Sequence, residues 1–431
     1  MAAAQRATGM DLEALETALR LAAHEIGASV LEALLEPVGV GRRDEAVRCV
    51  CGTPMHSRGV KTKSILTLLG WIRFFRSAYW CPVCGRWRYP GDELLDVVNT
   101  QYSPGVRKVV SDFGSDVPFK RVSQLLRSAA GLSISRKDCE RITEGVGKEM
   151  ACWVAEEQER IRFCETPPRD APKTIDTLYI ECDGTGVPMI PAEVAGRKGK
   201  QQDGSAKTRE AKLGCVFTQT AFDEKGRPVR DPGTTSFIGA IEPAATFGWH
   251  LYAEAVRRGL FEAKRVVCLG DGAEWVKNIA AMHFPNAPFI IDFYHAKEHV
   301  TELGRALFLR NPKRAEQFKE QGWDWLADGN IEQLIEKARQ FLPKDLRSGK
   351  DARVQLGYFE KNRNHMRYAA YRKQGLFIGS GVIEAGCKAV IGQRLKQSGM
   401  EWTVDGANAI IALRCVIRSR RFEDYWEMRI A

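Results

Sequence analysis

No uninterrupted apolar stretch in these 431 residues approaches the ~20 needed to span a bilayer. Met1–Arg6 has no apolar core ahead of a cleavage site, so the chain shows no secretory signal and reads as cytoplasmic. Internal repeats and long low-complexity tracts are lacking, which excludes solenoids and fibrous architectures. A disulfide framework is lacking too. Of the 12 cysteines, Cys139, Cys152, Cys164, Cys182, Cys215, Cys268, Cys387 and Cys415 are isolated, several inside apolar runs, and read as buried reduced thiols.

What is present is positive charge. The formal net charge is +10 and the pI about 9.0, a balance that favours an anionic partner, most commonly nucleic acid. Hydrophobic residues make up 44% and charged residues 27%, as in an ordinary globular protein, and the length allows two or three domains.

The remaining four cysteines form a pattern. Cys49 and Cys51 precede Gly52, and Cys81 and Cys84 precede Gly85; strand-like runs at 63–69 and 72–80 lie between them. Turns of this kind aim backbone amides at thiolate sulfurs, and two of them joined by a hairpin make a zinc ribbon. The ligand set is Cys49, Cys51, Cys81 and Cys84, with His56 as a substitute. The one-residue spacing of the first pair weakens its half of the signal, and two reduced cysteine pairs without metal are the alternative. A closed site of four cysteines would organise the fold and take no part in catalysis.

Residues 10–37 carry Leu12, Leu15, Leu19, Leu21, Ala22 and Ile26 at helical spacing, with Pro37 ending the run, as in a packing or dimerisation helix. Residues 103–150 read as short helices from Pro104, from Phe119 and from Arg136 to Lys148. They fit a helix-turn-helix in which Arg136, Lys137 and Arg141 face DNA, although helical hairpins without that role look alike. After a proline-rich linker at 167–172 come strand-like runs at 175–182, 212–222, 234–241, 265–270 and 287–292, with helices at 244–258 and 272–282: a mixed α/β core. The Lys-, Arg- and Gly-rich segment 195–212 is either a solvated loop or an arm that contacts phosphates. Residues 296–373 are helical and highly charged, anchored by Trp323 and Trp325, and 403–428 form an Arg-rich helix. The boundaries implied are 1–45 (N-terminal helix), 46–100 (cysteine module), 101–166 (helix-turn-helix-like), 173–295 (first part of the core), 296–375 (helical insertion) and 376–431 (C-terminal core helices).

Three acids sit where a metal could be held. Asp183 follows the first strand-like run of the core, Asp271 lies in Gly-Asp-Gly after the fourth, and Glu384 lies near the start of a long helix. Carboxylates are the hard oxygen ligands that Mg2+ prefers, and two aspartates plus a distant glutamate suit two-metal phosphoryl transfer.

With these acids on an α/β core, the chain resembles the DDE transposases of bacterial insertion sequences, most of all the Kra type, related to the mutator-like group. The stretches that carry the resemblance are 181–186, 270–275, Asp292 to His295, and 379–384 continuing to 394–402. It implies an RNase H-like fold and a bacterial, nucleoid-associated enzyme using two Mg2+ or Mn2+ ions held by Asp183, Asp271 and Glu384. It further implies cleavage at the ends of the element and joining of the freed 3′-hydroxyl to target DNA, by a homodimer or larger assembly. Asp292 and His295 match a mutator-like motif near the catalytic acids. His295 is then either a capping histidine or a group near the cleaved phosphate, and Trp402 either packs in the core or stacks on a base. Lys388, Arg394 and Lys396, one to three turns beyond Glu384, either follow the DNA backbone or lie on a solvated face. The rival readings are a structure-specific nuclease of the same fold, which cuts without joining, and a zinc-ribbon, helix-turn-helix regulator without activity.

Overall fold

A computed structural model describes residues 11–41, 46–163, 175–199, 201–343 and 349–429. The linker expected at 167–172, together with Cys164 and Lys200, falls outside them. The chain divides into two compact units, Met1–Val146 and Gly147–Ala431. Among the described residues no helix is long and apolar enough to cross a membrane.

In the first unit, helix α1 (Leu12–Gly39) lies on an antiparallel hairpin of β1 (His56–Thr67) and β2 (Gly70–Trp80), to which the two-residue β3 (Trp87–Arg88) is added. β1 begins seven residues before the strand-like run that marks it in sequence. Its first seven residues are exposed on both faces, so no apolar alternation reveals them. Ala28, Leu31 and Leu35 of α1 pack on Ile65, Ile72, Phe74 and Val97. The residues whose periodicity marks α1, Leu12, Leu15, Leu19, Leu21 and Ile26, are instead exposed. Pro37 does not end the helix; it lies in the last turn, where its missing N–H removes only one intrahelical bond. Helices α2 (Pro104–Asp116), α3 (Phe119–Ala130) and α4 (Arg136–Arg162) follow. Ser103 caps α2 by accepting the Val106 N–H at 3.3 Å. A Cβ on Gly114 would lie 2.1 Å from Thr143 Oγ1, so only glycine lets α2 meet α4 this closely. α4 does not stop at Lys148 as its sequence suggested. It continues to Arg162, across the division between the units.

The second unit is built on five strands, β4 (Ile175–Pro188), β5 (Thr208–Gln219), β6 (Ser236–Ala240), β7 (Ala263–Gly270) and β8 (Phe289–Ile291). Their order is β8-β7-β4-β5-β6. The β4–β5 and β5–β6 pairs are antiparallel, while β4–β7 and β7–β8 are parallel. Alternation along a strand assigns its side chains to two faces. Helices α5 (Ala244–Arg257) and α6 (Glu274–His283) cover one face, where a Cβ on Gly214 would press on Leu251 and Phe247. The opposite face carries Tyr179, Glu181 and Asp183 of β4. Tyr179 stacks on Phe217 at 5.0 Å and meets Phe377 edge-on at 5.1 Å.

Between β8 and the chain that covers this second face run five helices, α7 (Phe293–Leu307), α8 (Pro312–Ala327), α9 (Ile331–Phe341), α10 (Lys350–Asn362) and α11 (Tyr368–Lys373). Their shared core includes Val300, Leu303, Phe318, Leu334 and Phe359. Trp323 is half-buried, donating to Lys297 O at 3.1 Å while the Lys297 ammonium sits 3.7 Å over its ring. Helix α12 (Gly381–Gly386) leads into a π-helical turn at Cys387–Gly392, so Glu384 belongs to a broken run and not to one long regular helix. α13 (Val404–Arg418) and α14 (Phe422–Met428) complete the unit, separated at Arg420, whose φ is +61°.

Arg414 of α13, one of the arginines of the Arg-rich C-terminal stretch, is buried. It donates from Nε to Val390 O at 2.6 Å and from its guanidinium to Ala389 O, satisfying carbonyls of the π-helical turn. Arg414→Met leaves those carbonyls without these donors and is expected to lower stability by about 2–4 kcal/mol, read as a lower urea midpoint.

Candidate functional site

The register of the parallel β4–β7 pair sets the site. Its last rung joins Glu181 to Leu269, so Asp183 and Asp271, each two residues on, leave the pair at the same level. β4 itself does not end there. Gly184, Thr185 and Gly186 stay in the strand, paired with Lys212, Ala211 and Glu210 of β5, and the hairpin runs on to Pro188. A Cβ on Gly184 would lie 2.6 Å from Glu210 Oε1, so this glycine serves the close β4–β5 approach and not a strand-ending turn.

Asp183 is half-buried. It accepts its neighbour Gly184 N–H at 2.6 Å and the Cys387 thiol at 3.6 Å. Burial, reinforced by the nearby charge of Asp271, raises its pKa above the usual carboxylate range. Asp271 closes an Asx turn, accepting the Ala273 N–H at 2.9 Å, and Gly272 follows at φ +86°. Its backbone carbonyl accepts the Tyr358 hydroxyl at 3.3 Å. Glu384 is exposed in the first turn of α12, with Ser380 Oγ 3.5 Å from its carboxylate. Partial burial, with the charges of Asp292 and Asp183, raises its pKa too, against the pull of Lys388. Asp183 and Asp271 thus lie at one level of the sheet, and Glu384 sits on the run whose Cys387 touches Asp183, but the three carboxylates are not gathered within 4.8 Å of one another as the cysteines of the first unit are. Hard oxygen donors of this kind fit Mg2+ or Mn2+, which would draw both raised pKa values down.

Asp292 is buried beneath them. It caps α7 by accepting the His295 N–H at 2.6 Å, and its other oxygen accepts both the backbone N–H and the hydroxyl of Ser380. The Phe293 N–H to Ile378 O bond, 2.9 Å, binds the same loop. His295 Nε2 lies 3.3 Å from His299 Nε2, and His299 stacks on Tyr358 at 3.7 Å.

Other expectations divide. Lys388 and Lys396 are exposed, and Lys396 donates to Thr185 Oγ1. Arg394 is corrected: it is fully buried with its guanidinium 5.0 Å from the ring of Trp402, so it is a packing group and no contact for a DNA backbone. Trp402 is buried too, its indole N–H on Leu395 O at 3.0 Å, which leaves core packing and removes base stacking. Its backbone braces the β4–β5 hairpin, donating to Pro188 O and accepting from the Ile190 N–H. In the first unit Arg136, Lys137 and Arg141 are exposed on the start of α4. Lys137 pairs with Glu140 at 2.9 Å and Arg141 with Asp138 at 3.6 Å.

Sequence reasoning missed Glu181. It is wholly buried on the same strand face as Asp183, accepts the Ile383 N–H at 2.9 Å, and is pushed up to about 8 by burial. The available signal was an acid at i−2 from Asp183 in an otherwise apolar strand.

In the first unit Cys49, Cys51, Cys81 and Cys84 bring their sulfurs within 4.8 Å of one another. Among the described residues this is the one group of three or more potential ligands so closely gathered. The sulfurs of Cys49 and Cys84 are 3.4 Å apart, and Cys51 is 3.6 Å from Cys81 and 3.9 Å from Cys84. A tetrahedron with Zn–S of ~2.3 Å has edges of about 3.8 Å, so the quartet fits zinc. Gly52, at φ +85°, and Gly85, at φ +70°, close matching turns in which Gly52 N–H reaches Cys49 O and Gly85 N–H reaches Cys81 O. The short Cys49–Cys51 spacing therefore does not prevent closure. His56, exposed on β1, is not in the group. The Thr53 hydroxyl and amide hold Cys51 down at about 6, favouring the thiolate a metal needs. The purified protein is expected to carry about one zinc per chain by elemental analysis, reduced to background in Cys81→Ser/Cys84→Ser.

No family model matches the chain. It is similar to a protein of Streptococcus gallolyticus described as the UPF0236 protein in the vanSb 3′ region, 24% identical over 340 residues, which cover 78% of this chain and 68% of that protein. Among solved structures, the Drosophila P element transposase strand transfer complex aligns with a TM-score of 0.32 and 10% identity, over 76% of this chain and 96% of that one. A likeness of that size carries no argument about fold or activity.

Proposed function

We propose that this protein is a DDE-type DNA transposase that cuts at the ends of an insertion sequence and joins the freed 3′-hydroxyl to target DNA. The observation that carries the reading is the register that leaves Asp183 and Asp271 at one level just past the last rung of the parallel pair, with the run that bears Glu384 held to Asp183 through Cys387. The five-stranded sheet, three antiparallel strands with two parallel ones added to the first, has the order expected of an RNase H-like core. The motifs resembling Kra-type enzymes fall on these same elements.

Two divalent ions at such a site would activate a water or a 3′-hydroxyl and stabilise the leaving oxygen. Asp183, Asp271 and Glu384 would hold these ions, Asp183 lying within electrostatic reach of each of the other two. Asp292 keeps the Ser380 loop, and hence the start of α12, against β8. Arg197, Lys198 and Lys207, exposed towards the tip of the β4–β5 hairpin, offer cations to the phosphates of a duplex entering past Asp183. In the first unit the exposed cations of α4, with the zinc-fitting module, supply binding to the element ends.

DNA carrying the sequences that flank the gene is expected to be nicked in the presence of Mg2+ or Mn2+, with labelled ends appearing in strand-transfer products. Asp183→Asn and Asp271→Asn should each slow cleavage by about 10³-fold or more. Cleavage without joining would favour a nuclease, and full activity of both variants would leave only a DNA-binding role. Replacing Arg136, Lys137 and Arg141 together by Ala should weaken binding to the element ends. It should also flatten the slope of log affinity against log salt by about 0.9 for each phosphate no longer neutralised, read by fluorescence anisotropy.

A further inference from the structure

Beneath the three proposed catalytic acids lies a second tier of carboxylates. Glu181 has no exposed surface and sits two residues before Asp183 on the face that α12 covers. Burying a carboxyl group is costly unless its oxygens are used. One oxygen, Oε2, accepts the Ile383 N–H at 2.9 Å and has the Cys215 thiol at 3.9 Å. The other, Oε1, meets no hydrogen-bond donor among the described residues. An apolar residue of the same volume would avoid that cost, so the position needs the acceptor. The amide it holds is informative, because Ile383 immediately precedes Glu384.

α12 is only six residues long and turns at once into the π-helical turn. Its own hydrogen bonds cannot fix its first turn. Two external holds do so instead. Asp292 grips the N–H and hydroxyl of Ser380, and Glu181 grips the N–H of Ile383, from strand β4. Since Glu181 and Asp183 share one strand, the second hold ties the Glu384 segment to the same piece of backbone that carries Asp183.

We infer that Glu181 is a positioning residue: through its bond to the Ile383 amide it fixes Glu384 against Asp183. This rests on the proposed catalytic role of those acids, but the bond itself can be read without it. An acceptor is what the position requires, so a neutral amide of the same shape serves and a thioether of the same size does not.

The test compares Glu181→Gln with Glu181→Met in the full-length protein, alongside wild type, by hydrogen–deuterium exchange resolved to the peptide around 378–386. In wild type this peptide should be protected well beyond what a six-residue helix confers alone. Glu181→Met should raise its exchange at least about tenfold, with β5 and β7 unchanged, while Glu181→Gln stays within about threefold of wild type. Manganese titrated into the cleavage reaction should show the same split, with the half-saturating concentration raised by Glu181→Met and restored by Glu181→Gln. Fast exchange of the peptide in wild type overturns the inference even if neither variant can be prepared. So does equal loss of protection in both variants, or an unchanged Glu181→Met. Should the wild type cleave no DNA, the exchange result still decides whether the hold exists, and the failure belongs to the proposed activity.

Discussion

Strand β4 is the constraint from which the second unit hangs. Among the described residues it is the one strand of the sheet paired on both sides by long neighbours, parallel to β7 and antiparallel to β5, and its alternation decides what each face of the sheet receives. Its residues Tyr179, Glu181 and Asp183 change from aromatic core, to buried acid, to half-exposed acid within five positions. That gradient from dry to wet along one face suits the proposed site, because the lower residues exclude water and the upper one meets it. A shift of one residue in the β4–β7 register would turn Asp183 towards the helices of the opposite face.

Much of this was legible in the chain itself. Strands such as 265–270 and 287–292 announce themselves by short β-branched and apolar runs, and the helices between them by their period, so the order of core elements follows from patterning. The cysteine turns were legible through their glycines, which reappear at positive φ. The cap of α7 was placed on the wrong partner, since His295 was the capping candidate and it is Asp292 that accepts the His295 N–H.

What was not legible has physical causes too. Glycines at 184 and 186 read as the end of a strand, but they make room for the Glu210 and Thr208 side chains across the hairpin. Arg394 read as a cation for a DNA backbone or for solvent because charge is usually outside, and Arg414 only as one arginine of an Arg-rich helix. One lies against an indole and the other on backbone carbonyls, partners that no local pattern discloses. In α1 the periodic leucines do not pack on the hairpin; smaller and less regular positions, Ala28 and Leu31 among them, do. Patterning tells that a helix has an apolar side without telling which side its own unit will use.

The β4–β5 hairpin has one more consequence. Its two strands are matched in register from Thr177 with Gln219 to Pro188 with Thr208, and the backbone of Trp402 clasps its outer end. A ladder so long and so firmly clasped separates the geometry at Asp183 from whatever lies past the last rung. The stretch from Met189 to Lys207 can thus lengthen, shorten or change composition between descendants of one ancestor while the geometry at Asp183 stays as it was.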